Sequence, residues 1–146
     1  MKPKFIKVYF NIAKEISSLS YAERLKVGAI AVKNGTILSC GFNGTPYGWD
    51  NNCEELIEDF NDNESFSRLI TKQEVIHAEQ NILYKLAKSG ESSDGAVIFC
   101  THAPCLECAK AIFMSGIASF YYESEYRSND GLEFLKKCGV EVCKRA

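Results

Sequence analysis

The chain has 146 residues, 46% of them hydrophobic, and a formal charge of −2, which together predict one compact soluble domain over residues 1–146. Its apolar runs are too short to span a membrane, no signal-peptide core follows the N-terminus, and the charge lacks the basic excess that non-specific nucleic-acid binding needs. Seven cysteines, an odd number, argue against a disulfide framework and predict a cytoplasmic protein whose thiols are metal ligands, nucleophiles or core residues.

The N-terminal third predicts one helix and one hairpin. Apolar residues recur at helical spacing over Phe5–Ser17, with lysines between them. Two apolar strands follow, at Val27–Val32 and Thr36–Phe42. Asn34-Gly35 lies between them and supplies the positive φ angles that a tight hairpin turn requires.

The stretch at about 44–72 has no comparable periodicity and is rich in Gly, Pro and Asn. Seven acidic residues precede its first basic residue, Arg68. Long loops in small domains are usually lids or disordered segments, so we predict an acidic loop insert here. A short helix within it is the alternative, lined by Cys53, Leu56 and Phe60.

The second half of the chain alternates helices with strands. Helices are predicted over Gln73–Ser89, Pro104–Ser115 and Asp130–Lys137, and strands over Ala96–Cys100, Ala118–Tyr122 and Val140–Cys143. Strands separated by helices favour parallel pairing with helices on both faces. The element order therefore predicts a three-layer α/β/α sandwich around a five-stranded mixed sheet.

Four residues form a candidate metal and catalytic centre. Cys105 and Cys108 lie three residues apart at a helix start, where they share a face and the helix dipole favours thiolate. His77, in the first turns of the preceding helix, completes a three-ligand set that leaves one zinc position open for water. Glu79 is predicted to point to another, surface-facing sector of its helix and to take a proton from that water.

The other thiols and the second histidine receive different assignments. Cys100 ends an apolar strand and is predicted to be a core residue. His102 lies in the loop before the next helix and either contacts substrate or supports the ligands. Cys53 sits alone in the insert, and the remaining cysteines are predicted to be packing residues, namely Cys40, Cys138 and Cys143.

The motifs carry a resemblance to a known family. His-x-Glu at 77–79 and Pro-Cys-x-x-Cys at 104–108 match the signature of the zinc deaminases, so the chain resembles the cytidine deaminase-like superfamily. Four segments are similar to those of the deoxycytidylate deaminase family, namely Val27–Ile30, Gly41–Pro46, His77–Asn81 and Thr101–Cys108. The resemblance covers about residues 24–126, and its most distinctive part is Gly-Phe-Asn-Gly-Thr-Pro.

This resemblance implies a cytidine deaminase-like fold and an activity. The implied reaction is hydrolytic deamination of dCMP to dUMP and ammonia, which feeds dTMP synthesis. A zinc-activated water would attack C4 of cytosine while Glu79 relays the protons. The Ala78 N–H would contact the ring carbonyl, and Asn43 the sugar or base. The alternative for Asn43 is a turn residue, because Asn beside Gly often adopts left-handed geometry.

A phosphate dianion in a partly enclosed site needs a fixed guanidinium or several N–H donors. The chain has four arginines, at positions 24, 68, 127 and 145. Arg24 is the first candidate because it matches a family arginine, and Arg127 is the second, beside Tyr126 at the expected rim of the site. Gln80 and Lys26 are weaker candidates. The alternative for each arginine is an ordinary solvated side chain.

The family also implies regulation and assembly. Its members are often hexamers that dCTP with Mg²⁺ activates and dTTP inhibits, and their regulatory loop resembles the segment Gly41-Phe42-Asn43-Gly44. Independently, the apolar content of Phe113–Tyr122 exceeds what one strand face can bury, which predicts a homo-oligomer. Many members hold a second zinc through His and Cys of the insert. Here Cys53 is the only cysteine there, so one zinc per chain is predicted.

Two other functions stay open at this point. A tRNA adenosine deaminase, or another nucleoside or nucleotide deaminase, shares both motifs, but RNA binding needs a basic face that the acidic stretch makes hard to build. A non-catalytic binding module stabilised by zinc would have Glu79 as a solvated helix residue. Four protein ligands on the metal would favour that module.

Overall fold

A computed structural model describes all 146 residues as four helices and seven strands. In chain order the elements are α1 (Pro3–Ser17), β1 (Gly28–Lys33), β2 (Thr36–Phe42), β3 (Glu54–Asn61), β4 (Glu64–Thr71), α2 (Ala78–Lys88), β5 (Val97–His102), α3 (Leu106–Met114), β6 (Ser119–Ser124), α4 (Asp130–Lys137) and β7 (Glu141–Lys144). None of the helices combines the length and apolar character that crossing a membrane requires.

Five strands form the central sheet, in the order β2-β1-β5-β6-β7. Strand β1 runs antiparallel to β2 and β5, whereas β5, β6 and β7 are parallel. The predicted mixed sheet is confirmed. The predicted turn between β1 and β2 is also confirmed, with φ angles of 51° at Asn34 and 75° at Gly35.

Side chains alternate between the two faces of the sheet, as the pleat of a strand requires. On β1 and β5, Ala29, Ala31 and Ile98 join a core beneath α2, α3 and α4, while Ile30 and Phe99 pack beneath α1. Helices therefore cover both faces, and the α/β/α sandwich is confirmed. Gly28 allows α1 to approach β1, because a Cβ there would lie 2.9 Å from the Cα of Ser17.

The prediction of a loop at 44–72 is wrong for most of its length, and so is the alternative of a short helix. Strands β3 and β4 form a separate antiparallel hairpin that pairs with no strand of the central sheet. Its turn residues Asp62 and Asn63 have φ angles of 47° and 70°. Asp and Asn tolerate this left-handed geometry better than most residues, which makes a two-residue turn feasible here.

Two further expectations are corrected. Helix α2 begins at Ala78, not Gln73. Gln73 and Glu74 form a turn closed by the Val75 N–H on the Lys72 carbonyl, and Gly44 and Ile76 then exchange two backbone hydrogen bonds of 3.1 and 2.8 Å. The apolar stretch Phe113–Tyr122 is buried only in part. Ile117, Phe120 and Tyr122 lie in the core, whereas Phe113 and Met114 are 39% and 79% exposed. The exposed apolar surface that predicted an oligomer therefore lies mainly at the end of α3 and not on β6.

Candidate active site

Three side chains with metal-binding atoms converge at one end of the sheet. His77 is the N-cap of α2, Cys105 is the N-cap of α3, and Cys108 lies in the first turn of α3. The Nδ1 of His77 is 3.2 Å from Sγ of Cys108 and 3.6 Å from Sγ of Cys105. All three ligand atoms lie within 4.8 Å of one another. One imidazole and two thiols suit zinc with its fourth position open.

The pKa values of the two thiols are shifted in opposite directions, and the shift at Cys105 favours the thiolate that binds a cation. A hydrogen bond from Cys108 lowers the pKa of Cys105 to about 4, against the opposing effect of burial. The same hydrogen bond, with burial, raises the pKa of Cys108. The backbone N–H of Cys108 also donates to Sγ of Cys105 over 3.4 Å. One thiolate is thus stable before any metal binds, as a ligand pair at a helix start should be.

Local packing holds both ligand-bearing helix ends in place. The His77 N–H donates to Oε1 of Gln80 over 3.1 Å, which closes the first turn of α2. Gln80, a weak candidate for substrate contact in the sequence, is therefore a helix cap and does not line the cavity. Gly131 of α4 lets that helix meet the ligand loop, because a Cβ there would lie 2.9 Å from the Cys105 carbonyl oxygen.

Glu79 is buried, with 4% of its surface exposed, and the prediction of a surface-facing side chain is wrong. The first turn of α2 directs it into the cavity beside the ligand set. Burial raises the pKa of its carboxyl, and nearby His77 partly offsets this. A buried carboxyl whose pKa is raised holds a proton more readily than a solvated one, so it can both accept and return a proton.

A cavity of about 740 Å³ opens above these residues. This is within the usual size range of small-molecule sites. We use the term cavity floor for the lining residues His77, Ala78, Glu79 and Cys105 together with the buried third ligand, Cys108. The walls come from the segment before β1, from the β3–β4 hairpin and from the chain after β6, with lining residues that include Arg24, Leu25, Asn43, Cys53, Arg68, Ile70, Thr71, His102, Tyr126 and Arg127.

Most of the substrate-contact candidates from the sequence meet in this cavity. Arg24 reaches the hairpin, where its Nη1 donates to Oγ1 of Thr71 over 3.2 Å. The guanidinium of Arg127 lies 5.5 Å from the ring centre of Tyr126. Lys26 does not line the cavity, and neither do three residues of the loop compared with a regulatory site, namely Gly41, Phe42 and Gly44.

Asn43 lines the cavity but uses both of its polar atoms on the backbone. Its Oδ1 accepts from the Val27 N–H over 2.9 Å, and its Nδ2 donates to the Leu25 carbonyl over 2.8 Å. Its φ angle is not positive, so the left-handed turn alternative is wrong. Asn43 thus braces the wall segment that carries Arg24 and Leu25.

His102 faces the cavity from the end of β5. Burial lowers its pKa, while Glu123 opposes this weakly. Its Nδ1 lies 2.8 Å from Oγ1 of Thr101, and that oxygen already accepts from the Gly28 N–H over 3.2 Å. The threonine hydroxyl has a hydrogen to donate to Nδ1, and the lowered pKa favours a neutral imidazole, which would then carry its N–H at Nε2.

The hairpin contributes cavity residues that the sequence did not indicate. Cys53 is buried in the cavity wall. Three residues of β4 also line the cavity, namely Arg68, Ile70 and Thr71. Glu54 is also buried, and both of its carboxylate oxygens accept from the Glu23 N–H, over 2.9 and 3.1 Å. A two-residue Asp62-Asn63 turn was the one signal in the sequence that could have revealed this wall.

Proteins of known family are similar to this chain in sequence. The family model for the cytidine and deoxycytidylate deaminase zinc-binding region matches residues 3–124. Deoxycytidylate deaminase of enterobacteria phage T4 is 33% identical over 165 residues, covering 90% of this chain and 85% of the relative. ComE operon protein 2 of Bacillus subtilis is 32% identical over 139 residues, covering 92% of this chain and 68% of the relative.

The structural comparison covers nearly the whole chain. The crystal structure of dCMP deaminase from cyanophage S-TIM5, in complex with dCMP and dUMP, superimposes with a TM-score of 0.86. The two proteins are 46% identical, and the alignment covers 99% of each chain. This similarity includes the hairpin as well as the cavity floor, because so little of either chain is left unaligned.

Proposed function

Because the chain belongs to the deoxycytidylate deaminase family, we propose that it catalyses hydrolytic deamination of dCMP to dUMP and ammonia. The observation that carries the proposal is the buried carboxyl of Glu79 beside a three-ligand His-Cys-Cys set in one open cavity. We treat residues 1–146 as one deaminase domain, since the hairpin is joined to the wall before β1 through Glu54 and Thr71.

The proposed metal ligands are Nδ1 of His77 and the Sγ atoms of Cys105 and Cys108. When bound there, zinc would lower the pKa of a coordinated water towards neutrality and so supply the nucleophile. The chain's own contribution is the orientation of the three ligands. Each is at or beside a helix N-terminus packed on the sheet, and His77 and Cys105 line the cavity, so a metal held there would be accessible from it.

Glu79 is the proposed proton carrier. Its carboxylate would accept one proton from the attacking water and deliver it to N3. It would then take the second proton from the new C4 hydroxyl and pass it to the departing amino group as the C4–N bond breaks. Its burial supports both roles, because the raised pKa keeps the protonated form accessible. The N–H of Ala78 has no partner within its helix and is proposed to donate to the ring carbonyl.

The rest of the cavity would select the nucleotide. We assign Tyr126 and the neutral His102 to contacts with the base and sugar, and Arg24 and Arg127 to the 5′-phosphate, because all four line the cavity. Asn43 would act through the backbone of the wall that it braces, and not by direct contact with the sugar or base.

Ammonia release from a panel of substrates tests this function. Purified protein containing zinc is offered dCMP, deoxycytidine, cytidine, AMP and a folded tRNA under identical conditions. We expect kcat/KM for dCMP to exceed that for deoxycytidine by about 100-fold or more, since charged hydrogen bonds to the phosphate are lost with the nucleoside. Equal efficiency on dCMP and deoxycytidine would indicate a nucleoside deaminase, and activity on tRNA alone an RNA-editing enzyme.

The two alternatives have less support. Binding of folded RNA would bring its phosphates against a hairpin that carries Glu55, Glu58 and Asp59. A non-catalytic zinc module required a solvated Glu79, whereas this carboxyl is buried beside the ligand set.

Regulation and assembly are proposed on the same family relationship. We propose a homo-oligomer, a hexamer by analogy, that dCTP with Mg²⁺ activates and dTTP inhibits through the loop Gly41–Gly44. Asn81 supports this, because its Nδ2 donates to the Phe42 carbonyl over 2.8 Å and so couples that loop to the helix bearing Glu79. Titrating dCTP and dTTP into the dCMP assay, with and without Mg²⁺, tests it. Seven unpaired cysteines support the proposed cytoplasmic location.

A further inference from the structure

One face of the β3–β4 hairpin belongs to the cavity wall. Side chains on a strand alternate, so Arg68 and Ile70 point to the same side of β4, and both line the cavity. Ile57 is the cross-strand partner of Arg68, and Asp59 lies on the same face as Ile57. The opposite face carries Leu56, Glu58 and Phe60.

The guanidinium of Arg68 is held by one hydrogen bond, and its other two nitrogens have no partner within the chain. Its Nε donates to Oδ2 of Asp59, and its two terminal nitrogens donate to no other group of the chain. The side chains of Arg68 and Asp59 are 56% and 38% exposed. An ion pair this exposed adds little to stability, but it can set the direction of the planar guanidinium.

The charges around the cavity favour an anion. Three guanidinium groups line it, those of Arg24, Arg68 and Arg127, against the carboxyls of Glu79 and Glu125. Glu79 is buried in the floor, and Glu125 is already paired with Lys144 at 2.8 Å. Arg24 contacts Thr71 at the end of the strand that carries Arg68, so two of the cations lie on adjoining walls.

We infer that Arg68 is a specificity-determining residue that binds the 5′-phosphate of the nucleotide through its two terminal nitrogens while Asp59 holds its Nε. The inference rests on the proposed function and adds the hairpin to the phosphate site. Two parallel N–H donors match a pair of phosphate oxygens, which a lysine cannot reproduce. The hairpin would thus discriminate a nucleotide from a nucleoside.

Steady-state kinetics with dCMP and with deoxycytidine test the inference in the wild type and four variants. Arg68→Gln should raise KM for dCMP by about 10- to 100-fold and leave its kcat within about twofold, because the phosphate does not take part in bond breaking. kcat/KM for deoxycytidine should change by less than about twofold. Arg68→Lys should be intermediate, and Asp59→Asn should raise KM for dCMP less than Arg68→Gln does.

Lys136→Gln is the matched control, since it removes a cation from an exposed ion pair with Glu133, on a helix outside the cavity wall. It should alter neither substrate's kinetics. Thermal melting of each variant shows whether the hairpin change affects folding, and Arg68→Lys, which keeps the charge, gives a second test if Arg68→Gln is unstable.

Three results would overturn the inference while leaving dCMP deamination intact. These are an unchanged KM for dCMP in Arg68→Gln, an equal loss with both substrates, and an Asp59→Asn effect as large as that of Arg68→Gln. The last two would mean that the ion pair supports the hairpin and does not orient a phosphate ligand. A wild-type protein without preference for dCMP contradicts the proposed function itself, and the inference fails with it before any variant is made.

Discussion

The cavity floor and the β3–β4 hairpin face the same space but are built differently. The floor lies at the N-terminal ends of two helices packed on the sheet, where Ala78 and Cys108 are completely buried. The hairpin pairs only with itself and leaves Leu56 and Phe60 65% and 79% exposed. An isolated two-stranded hairpin is marginally stable in water, so its own pairing cannot fix its position.

This difference matches the roles proposed for the two regions, catalysis at the floor and phosphate binding at the hairpin. Proton transfer and metal binding depend on atomic positions held within fractions of an ångström, which packed helix ends provide. Recognition of a flexible phosphate tolerates an element that is attached mainly at its base. That attachment consists of Glu54 on the Glu23 N–H and Arg24 on Thr71. Substitutions in the two regions should therefore have separable effects on kcat and on KM.

The largest effect should come from breaking the ligand set. Cys105→Ala leaves two ligands, which hold zinc too weakly to survive purification, so both bound zinc and deamination should be lost. Metal analysis and the dCMP assay measure this. Cys138→Ala, which removes a free thiol outside the ligand set, should keep both. A Cys105→Ala protein with full zinc content would show that the floor is not the metal site.

Glu79→Gln should separate chemistry from metal binding. The amide fills nearly the same buried volume but cannot carry a proton, so kcat should fall by a factor of about 100 to 10,000. Zinc content and dCMP affinity should be preserved. Glu107→Gln is the control, because this carboxyl is exposed on α3 in a pair with Lys110. Turnover near the wild-type rate in Glu79→Gln would remove Glu79 from the proposed mechanism.

Gly131→Ala tests how tightly the floor is packed. The added Cβ would lie 2.9 Å from the Cys105 carbonyl oxygen and closer still to that of Pro104, so α4 must move away from the ligand loop. Overpacking of this kind costs about 1–3 kcal/mol in the free energy of unfolding. Urea denaturation measures that loss, and Gly90→Ala, at a position where a Cβ meets nothing, is the control. Equal stability of the two variants would mean that the floor is not rigidly packed.

The sequence predicted the floor and the sheet because their signals are local. Asn34-Gly35 specified a turn, and the spacing of Cys105 and Cys108 specified a shared helix face. Two errors arose where the local signal was weak. The burial of Glu79 was missed because helix α2 begins five residues later than its apolar pattern suggested, after a turn at 73–74 and a bridge from Ile76 to the distant Gly44.

The hairpin was missed because its strands lack alternating hydrophobicity. A strand that is largely exposed on both faces has no need of the period-2 pattern by which strands are recognised. Its acidic residues and the flanking Gly, Pro and Asn residues are typical of a loop. The contribution of Arg68 and Cys53 to the cavity follows from tertiary placement of this hairpin, which no local pattern encodes.

Glu54→Ala tests the attachment of the hairpin. Loss of the Glu54 carboxylate leaves the Glu23 N–H, beside Arg24, without its partner, so this wall should shift. KM for dCMP should then rise by about three- to tenfold with little change in kcat. The neighbouring Glu55→Ala is the matched control, because Glu55 is exposed and makes no such bond. A fall in kcat without a rise in KM would show that this attachment also positions the floor.

The smallest effect is expected at the hairpin tip. Phe60 is 79% exposed, so Phe60→Ser removes almost no buried apolar surface and should shift the melting temperature by less than about 2 °C. A fully buried phenylalanine such as Phe120 should behave differently, since Phe→Ala substitutions in a core cost about 3–5 kcal/mol. Melting curves and light scattering of Phe60→Ser and Phe120→Ala give the contrast. A Phe60→Ser protein that melts several degrees lower and at a smaller molecular mass would show that this tip is buried between copies of the chain, and that the hairpin is as firmly held as the floor.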